Sequence, residues 1–103
     1  MPRPDPVALD DLLLSRVRLG ILSALVGGDE ASFTYLRDAL KLTHGNLSVQ
    51  LRKLETAGYL KIRKRFVDRK PRTLCRITPR GQAAFEQLVR HLEGVLQADT
   101  EAS

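Results

Sequence analysis

The chain is poor in the residues that build metal centres, disulfide frameworks and aromatic platforms. It has one cysteine, Cys75, and two histidines, His44 and His91. One cysteine cannot close an internal disulfide, so nothing calls for an oxidising compartment. A tetrahedral metal site needs about four ligands, and no Cys/His cluster supplies them, so neither a metal nor another cofactor is expected. The five aromatic residues, two Tyr and three Phe, are scattered. That is unlike the sheets that stack single-stranded RNA bases. No apolar run approaches the ~20 residues of a membrane span, and the first residues lack the basic-then-apolar order of a signal peptide. A soluble, cytoplasmic protein is expected. No Ser/His/Asp set, suitably placed carboxylate pair or phosphate-cradling glycine loop appears, so the chain does not read as an enzyme.

What is present is positive charge. Seventeen Lys and Arg stand against 12 Asp and Glu, a net +5 with a pI near 9.9. This balance fits a polyanionic partner without proving one. The excess is local: from Lys61 to Arg80 there are nine Lys or Arg and one acid, Asp68. With 103 residues and 43% apolar content, the chain suffices for one domain with a core.

Periodicity divides that domain, read as 7–97, into helices and a hairpin. Residues 1–6 hold three prolines and read as an irregular lead-in. From Val7 to Val26, Leu9, Leu12, Leu13, Val17, Ile21, Leu22 and Leu25 recur at helical spacing, as one helix or as two broken near Ser15. Gly27-Gly28-Asp29 stops this segment. Ala31-Ser32-Phe33 reads as a short extended piece, Thr34 as the N-cap of a helix Tyr35–Leu40, and Thr43 as the N-cap of a helix over 44–57. The last carries Leu47, Leu51 and Leu54 on one face and ends at Ala57-Gly58, which makes a helix-turn-helix over about 34–58. The period then changes to alternation. Tyr59–Phe66 and Thr73–Ile77 read as paired strands, with 67–72 a basic loop between them, so 59–77 forms a hairpin. Thr78 caps a final helix with Pro79 in its first position, running over 79–97 with Phe85, Leu88, Val89, Leu92, Val95 and Leu96 as its stripe. Residues 98–103 read as a flexible tail.

The run from Leu47 to Leu60, with its Leu-x-x-Leu and Ala57-Gly58-Tyr59, resembles the recognition-helix stretch of winged-helix regulators of the MarR and ArsR type. Ile77-Thr78-Pro79-Arg80-Gly81 resembles their step from wing into last helix. Lys70-Pro71-Arg72-Thr73 is similar to the wing of compact, stand-alone winged-helix DNA-binding domains. The resemblance covers about residues 16–92. It implies an α+β, mainly α fold: a winged helix-turn-helix with a two-stranded wing and terminal dimerisation helices, acting as a transcriptional regulator on double-stranded DNA. The metal-sensing cysteine motif of the ArsR type is absent, so metal sensing is not implied. MarR proteins are longer, and little chain is left here to enclose a small-molecule effector.

The residue chemistry agrees with that implication. A helix fits the major groove, and its N-terminal half reaches base edges. With Leu47, Leu51 and Leu54 turned inward, Asn46, Val49, Arg52 and Lys53 face outward, flanked by Ser48 and Gln50. Asn and Gln match adenine, Arg matches guanine, and Ser and Val suit hydroxyl and methyl contacts. Thr43, His44 and Gly45 stand at the helix start, where free N–H groups favour phosphate. In the wing, Lys64, Arg65, Arg69, Lys70 and Arg72 have few acids nearby in sequence and suit a phosphate backbone. Cys75 reads as a small buried hydrophobe, and His91 as a surface or interface residue.

The core expected beneath the helix-turn-helix takes Leu19, Leu22, Leu25, Leu36, Leu40, Leu51, Leu54, Leu60, Ile62 and Ile77. That leaves Leu9, Leu12, Leu13, Leu88, Leu92, Val95 and Leu96 for a two-fold dimer, or for packing between the terminal helices of one subunit. Alternatives to a DNA-reading homodimer are a winged-helix protein-interaction module and a nonspecific nucleic-acid-binding protein.

Overall fold

The computed structural model describes residues 10–102, with side chains described over 10–97. A 3-10 helix at Asp11–Leu13 is followed by α1 (Arg16–Leu25), β1 (Ala31–Ser32), α2 (Phe33–Ala39), α3 (His44–Thr56), β2 (Leu60–Val67), β3 (Lys70–Ile77) and α4 (Pro79–Ala102). The strands form one antiparallel sheet in the order β1-β3-β2. This is a winged helix, mainly helical, as the sequence implies.

The first apolar segment does break at Ser15. Its hydroxyl accepts the Arg18 N–H at 3.3 Å and starts α1 afresh. Gly27 and Gly28, both at positive φ, turn the chain out of α1. The cap of α2 differs from expectation: Ser32, not Thr34, accepts the Tyr35 N–H, at 3.1 Å. Two capping residues lie two apart, and pairing of Ala31 and Ser32 with Cys75 and Leu74 in β3 ends the extended piece at Ser32. The helix therefore begins at once. Lys41, at φ 54°, carries the turn between α2 and α3, and Thr43 caps α3 as expected, its Oγ1 3.1 Å from the Asn46 amide.

The hairpin is also tighter than its sequence reads. The strands extend to Val67 and Lys70, leaving only Asp68-Arg69 as the turn. Both residues have positive φ (52° and 64°), as a type I′ hairpin turn requires. Pro71, which suggests a loop, pairs opposite Phe66 in a strand with a free edge at that point. At the other end of β3, Thr78 joins three elements. Its N–H donates to Tyr59 O at 3.0 Å, its Oγ1 donates to Gly58 O at 2.6 Å, and it accepts from the Gly81 N–H at 3.0 Å. A Cβ on Gly81 would sit 2.9 Å from Tyr59 C and 3.0 Å from Ile77 Cγ1. The Thr-x-x-Gly step is thus a close crossing of α4 over Gly58-Tyr59, the link between α3 and β2. The backbone of α4 continues to Ala102, past the expected end at 97; once a helix is running, each added residue gains a hydrogen bond.

The core is Leu13, Ile21, Leu22, Leu25, Leu36, Leu47, Leu51, Leu54, Leu60, Cys75, Ile77 and Leu88. Leu19, Leu40 and Ile62 sit at its margin, only partly buried. Ile21 takes the inner place that Leu19 was expected to hold, since residues 18, 21, 22 and 25 share one face of α1. Leu13 and Leu88 belong to this core and not to a dimer surface. The 3-10 helix folds Leu13 inward. Its carboxylate neighbour Asp10 caps it through the Leu12 N–H at 3.0 Å and accepts a hydrogen bond from the Tyr59 hydroxyl.

Candidate nucleic-acid interface

α3 presents its candidate residues in two tiers. Thr43, His44, Gly45, Asn46, Val49, Arg52 and Lys53 are exposed, while Ser48 and Gln50 are half-buried. Asn46, Val49 and Lys53 follow one another along one stripe at helical spacing, opposite buried Leu47, Leu51 and Leu54. His44 lays its ring against Phe33, 4.7 Å between centroids, so it links α2 to the start of α3 as well as facing outward. Gln50 is engaged within the protein. Its Oε1 accepts from Arg18 Nη1 at 2.7 Å, and its Nε2 donates to Asn46 Oδ1 at 3.1 Å.

Register orders the wing charges. In β2 and β3, Lys61 stands opposite Arg76, Arg65 opposite Arg72 and Val67 opposite Lys70. Leu60, Ile62, Cys75 and Ile77 turn to the core side, so alternation puts Lys61, Arg63, Arg65, Lys70, Arg72 and Arg76 together on the other face. Lys64 lies on the core-side face beyond the body, next but one to Phe66, which is 80% exposed. Arg69 occupies the turn. The sequence reading thus found three of the six cations on this face and missed Lys61, Arg63 and Arg76. Their signal was available, since the same period-two alternation that marks β2 puts 61, 63 and 65 on one side. One wing charge has a partner: Arg65 Nη1 lies 3.5 Å from Glu30 Oε1, an acid distant in sequence that β1 brings alongside. For Lys64, Arg69, Lys70 and Arg72 no ion pair is found among the described residues.

The dimer residues divide. Leu9 lies outside the described residues, Leu13 and Leu88 are core, and Leu12 is half-buried at the rim of an open groove of about 630 Å³ that α3 lines with Val49 and Lys53. Leu92, Val95 and Leu96 are 40, 42 and 66% exposed on α4. His91 is half-exposed, its Nδ1 3.0 Å from Gln87 O. Among the described residues no group of acids, histidines and cysteine could hold a metal ion, and no helix is long and apolar enough to cross a membrane.

Residues 17–96 match the family described as a winged helix DNA-binding domain. An uncharacterized protein of Methanocaldococcus jannaschii is 37% identical over 75 residues, 73% of this chain and 82% of that one. The structure of a transcriptional regulator homologue from Pyrococcus horikoshii OT3 superposes with a TM-score of 0.79 at 36% identity, covering 84% of this chain and 86% of that one. MarR shares the fold at a TM-score of 0.69 and 20% identity, over 80% of this chain and 59% of its own. The helix-turn-helix, the wing and the crossing at Gly81 all fall within the matched residues, and the chain belongs to the winged helix DNA-binding domain family of transcriptional regulators.

Proposed function

We propose that the protein reads duplex DNA as a sequence-specific homodimer, with α3 in the major groove and the wing on the backbone or in the minor groove. One observation carries this reading: the wing sets like charges directly across from one another, Lys61 opposite Arg76 and Arg65 opposite Arg72. Such pairs weaken a hairpin. Beside phosphates the same charges displace condensed counterions, and the cost turns into affinity. A solvated wing with no polyanionic partner has no use for that arrangement. The exposed apolar residues Leu92 and Val95 of α4 support the dimer, which would hold two α3 helices about one DNA turn apart.

The two surfaces have separable signatures. Arg72→Ala should weaken binding to all duplexes alike and flatten the slope of log affinity against log salt by ~1. Asn46→Ala should relax preference at one base pair, a loss of ~1–3 kcal/mol for a bidentate contact. Titrations of preferred and scrambled duplexes at several salt concentrations check both. A sequence-selective loss in Arg72→Ala, with the slope intact, would overturn the wing assignment.

A further inference from the structure

Arg18 is on α1, outside both DNA-facing surfaces, yet its guanidinium donates to a side chain of α3. Its amide is held by the Ser15 cap at 3.3 Å. Its Nε donates to the main-chain carbonyl of Leu12 at 2.5 Å, and its Nη1 donates to Gln50 Oε1 at 2.7 Å. A guanidinium only donates, so the oxygen of the Gln50 amide must face it. The Gln50 nitrogen then faces the other way, and it donates to Asn46 Oδ1 at 3.1 Å, one turn earlier on α3. One acceptor position of Asn46 is thereby occupied, and both of its N–H groups are left for an outside partner. Asn46 is exposed at the N-terminal end of α3, where a groove helix meets bases.

We infer that Arg18 is a positioning residue for base recognition: through Gln50 it fixes the amide of Asn46 with its donors outward, toward a purine N7 or another major-groove acceptor. This rests on the reading of α3 as the groove helix. The chain starts from a main-chain carbonyl, so its polarity is set before DNA arrives, and a preset donor array spares the ordering that binding otherwise requires.

The test uses the 103-residue chain and duplexes in which each base pair of its preferred site is replaced in turn. Arg18→Met and Asn46→Ala should each lower discrimination about tenfold, at the same base pair, within the range of one bidentate contact. Combining them should lower it no further. Affinity for unrelated duplex and the salt slope should stay at wild-type values. Gln50→Met, which adds no charge, leaves Arg18 without its acceptor and Asn46 without the N–H that it accepts, and should give the same loss. It carries the test if Arg18→Met does not fold. A variant that weakens every duplex alike, with the salt slope flatter by about one, makes Arg18 a phosphate contact and overturns the inference. Discrimination that survives in Arg18→Met and Gln50→Met, beside a wild type that discriminates, overturns it alone. A wild type with no base preference removes the reading of α3 and the inference together.

Discussion

Cys75 is the one thiol of the chain and is buried in the core, on β3 opposite Ile62 and Ala31. Burial pushes its pKa from the ordinary 9 up to about 11, with the charge of Glu55 adding to the effect. Thiolate is the reactive form, so this sulfur is inert at neutral pH and serves as packing, as its alternation with Leu74 and Arg76 implies. The folded state holds the proton to higher pH than the unfolded chain does. Its contribution to stability is therefore complete below pH 9 and is lost as the pH rises toward 11, on the order of 2–3 kcal/mol. Urea denaturation at pH 8 and pH 10.5 should show that decline, and Cys75→Ala should lose less between the two. Equal declines would show that Cys75 contributes nothing to it. Single residues also mark where sequence reading stops. Ser32 and Thr34 are both favourable caps in sequence, and the pairing of Ser32 with Leu74 decides between them. For Leu13 and Leu88 the sequence leaves a dimer and packing within one subunit both open, because nothing local records that a 3-10 helix and α4 both fold back onto α1.

At the scale of elements, periodicity located α1, α3 and the wing well, because their buried residues repeat at fixed intervals: Leu47, Leu51 and Leu54 on α3, Leu60 and Ile62 on β2. The wing turn escaped it. A type I′ turn usually advertises itself with Asn-Gly, whereas Asp68-Arg69 adopts the same left-handed pair without glycine. Arg at φ 64° is strained by contact of its Cβ with the following carbonyl. Arg69→Gly should therefore raise stability by about 0.5–1 kcal/mol. The same change removes a cation, and should flatten the salt dependence of duplex binding by ~1. Thermal melting and salt titration of one variant read both effects. A fall in stability would contradict the strain, and an unchanged salt slope would remove Arg69 from the interface. Much of the candidate site was legible for the same reason that the elements were. The α3 face follows from the three core leucines, but the inward tie of Gln50 does not, because Arg18 comes from an element 32 positions away.

On the scale of the whole molecule, the first half of α4 packs on the domain through Leu88, Ala84 and Phe85, and its later apolar residues emerge from it. If a second copy covers Leu92 and Val95, replacing both with Glu should leave the fold of each chain intact, since neither belongs to the core, and should lower the melting temperature by no more than the dimer itself contributes. Sedimentation should then give half the mass of the wild type, and affinity for a two-fold symmetric duplex should fall by more than tenfold. A wild type that sediments at the 11.5 kDa of one chain would remove the dimer and leave the domain. Sequence reading by a dimer is tested by selection of bound sequences from a random duplex pool, followed by the salt dependence of binding to the selected site. A two-fold symmetric consensus and an affinity that falls steeply with salt are expected. Enrichment of no sequence, with weak binding to any duplex, would contradict sequence reading by α3 and make the winged helix a platform for another protein.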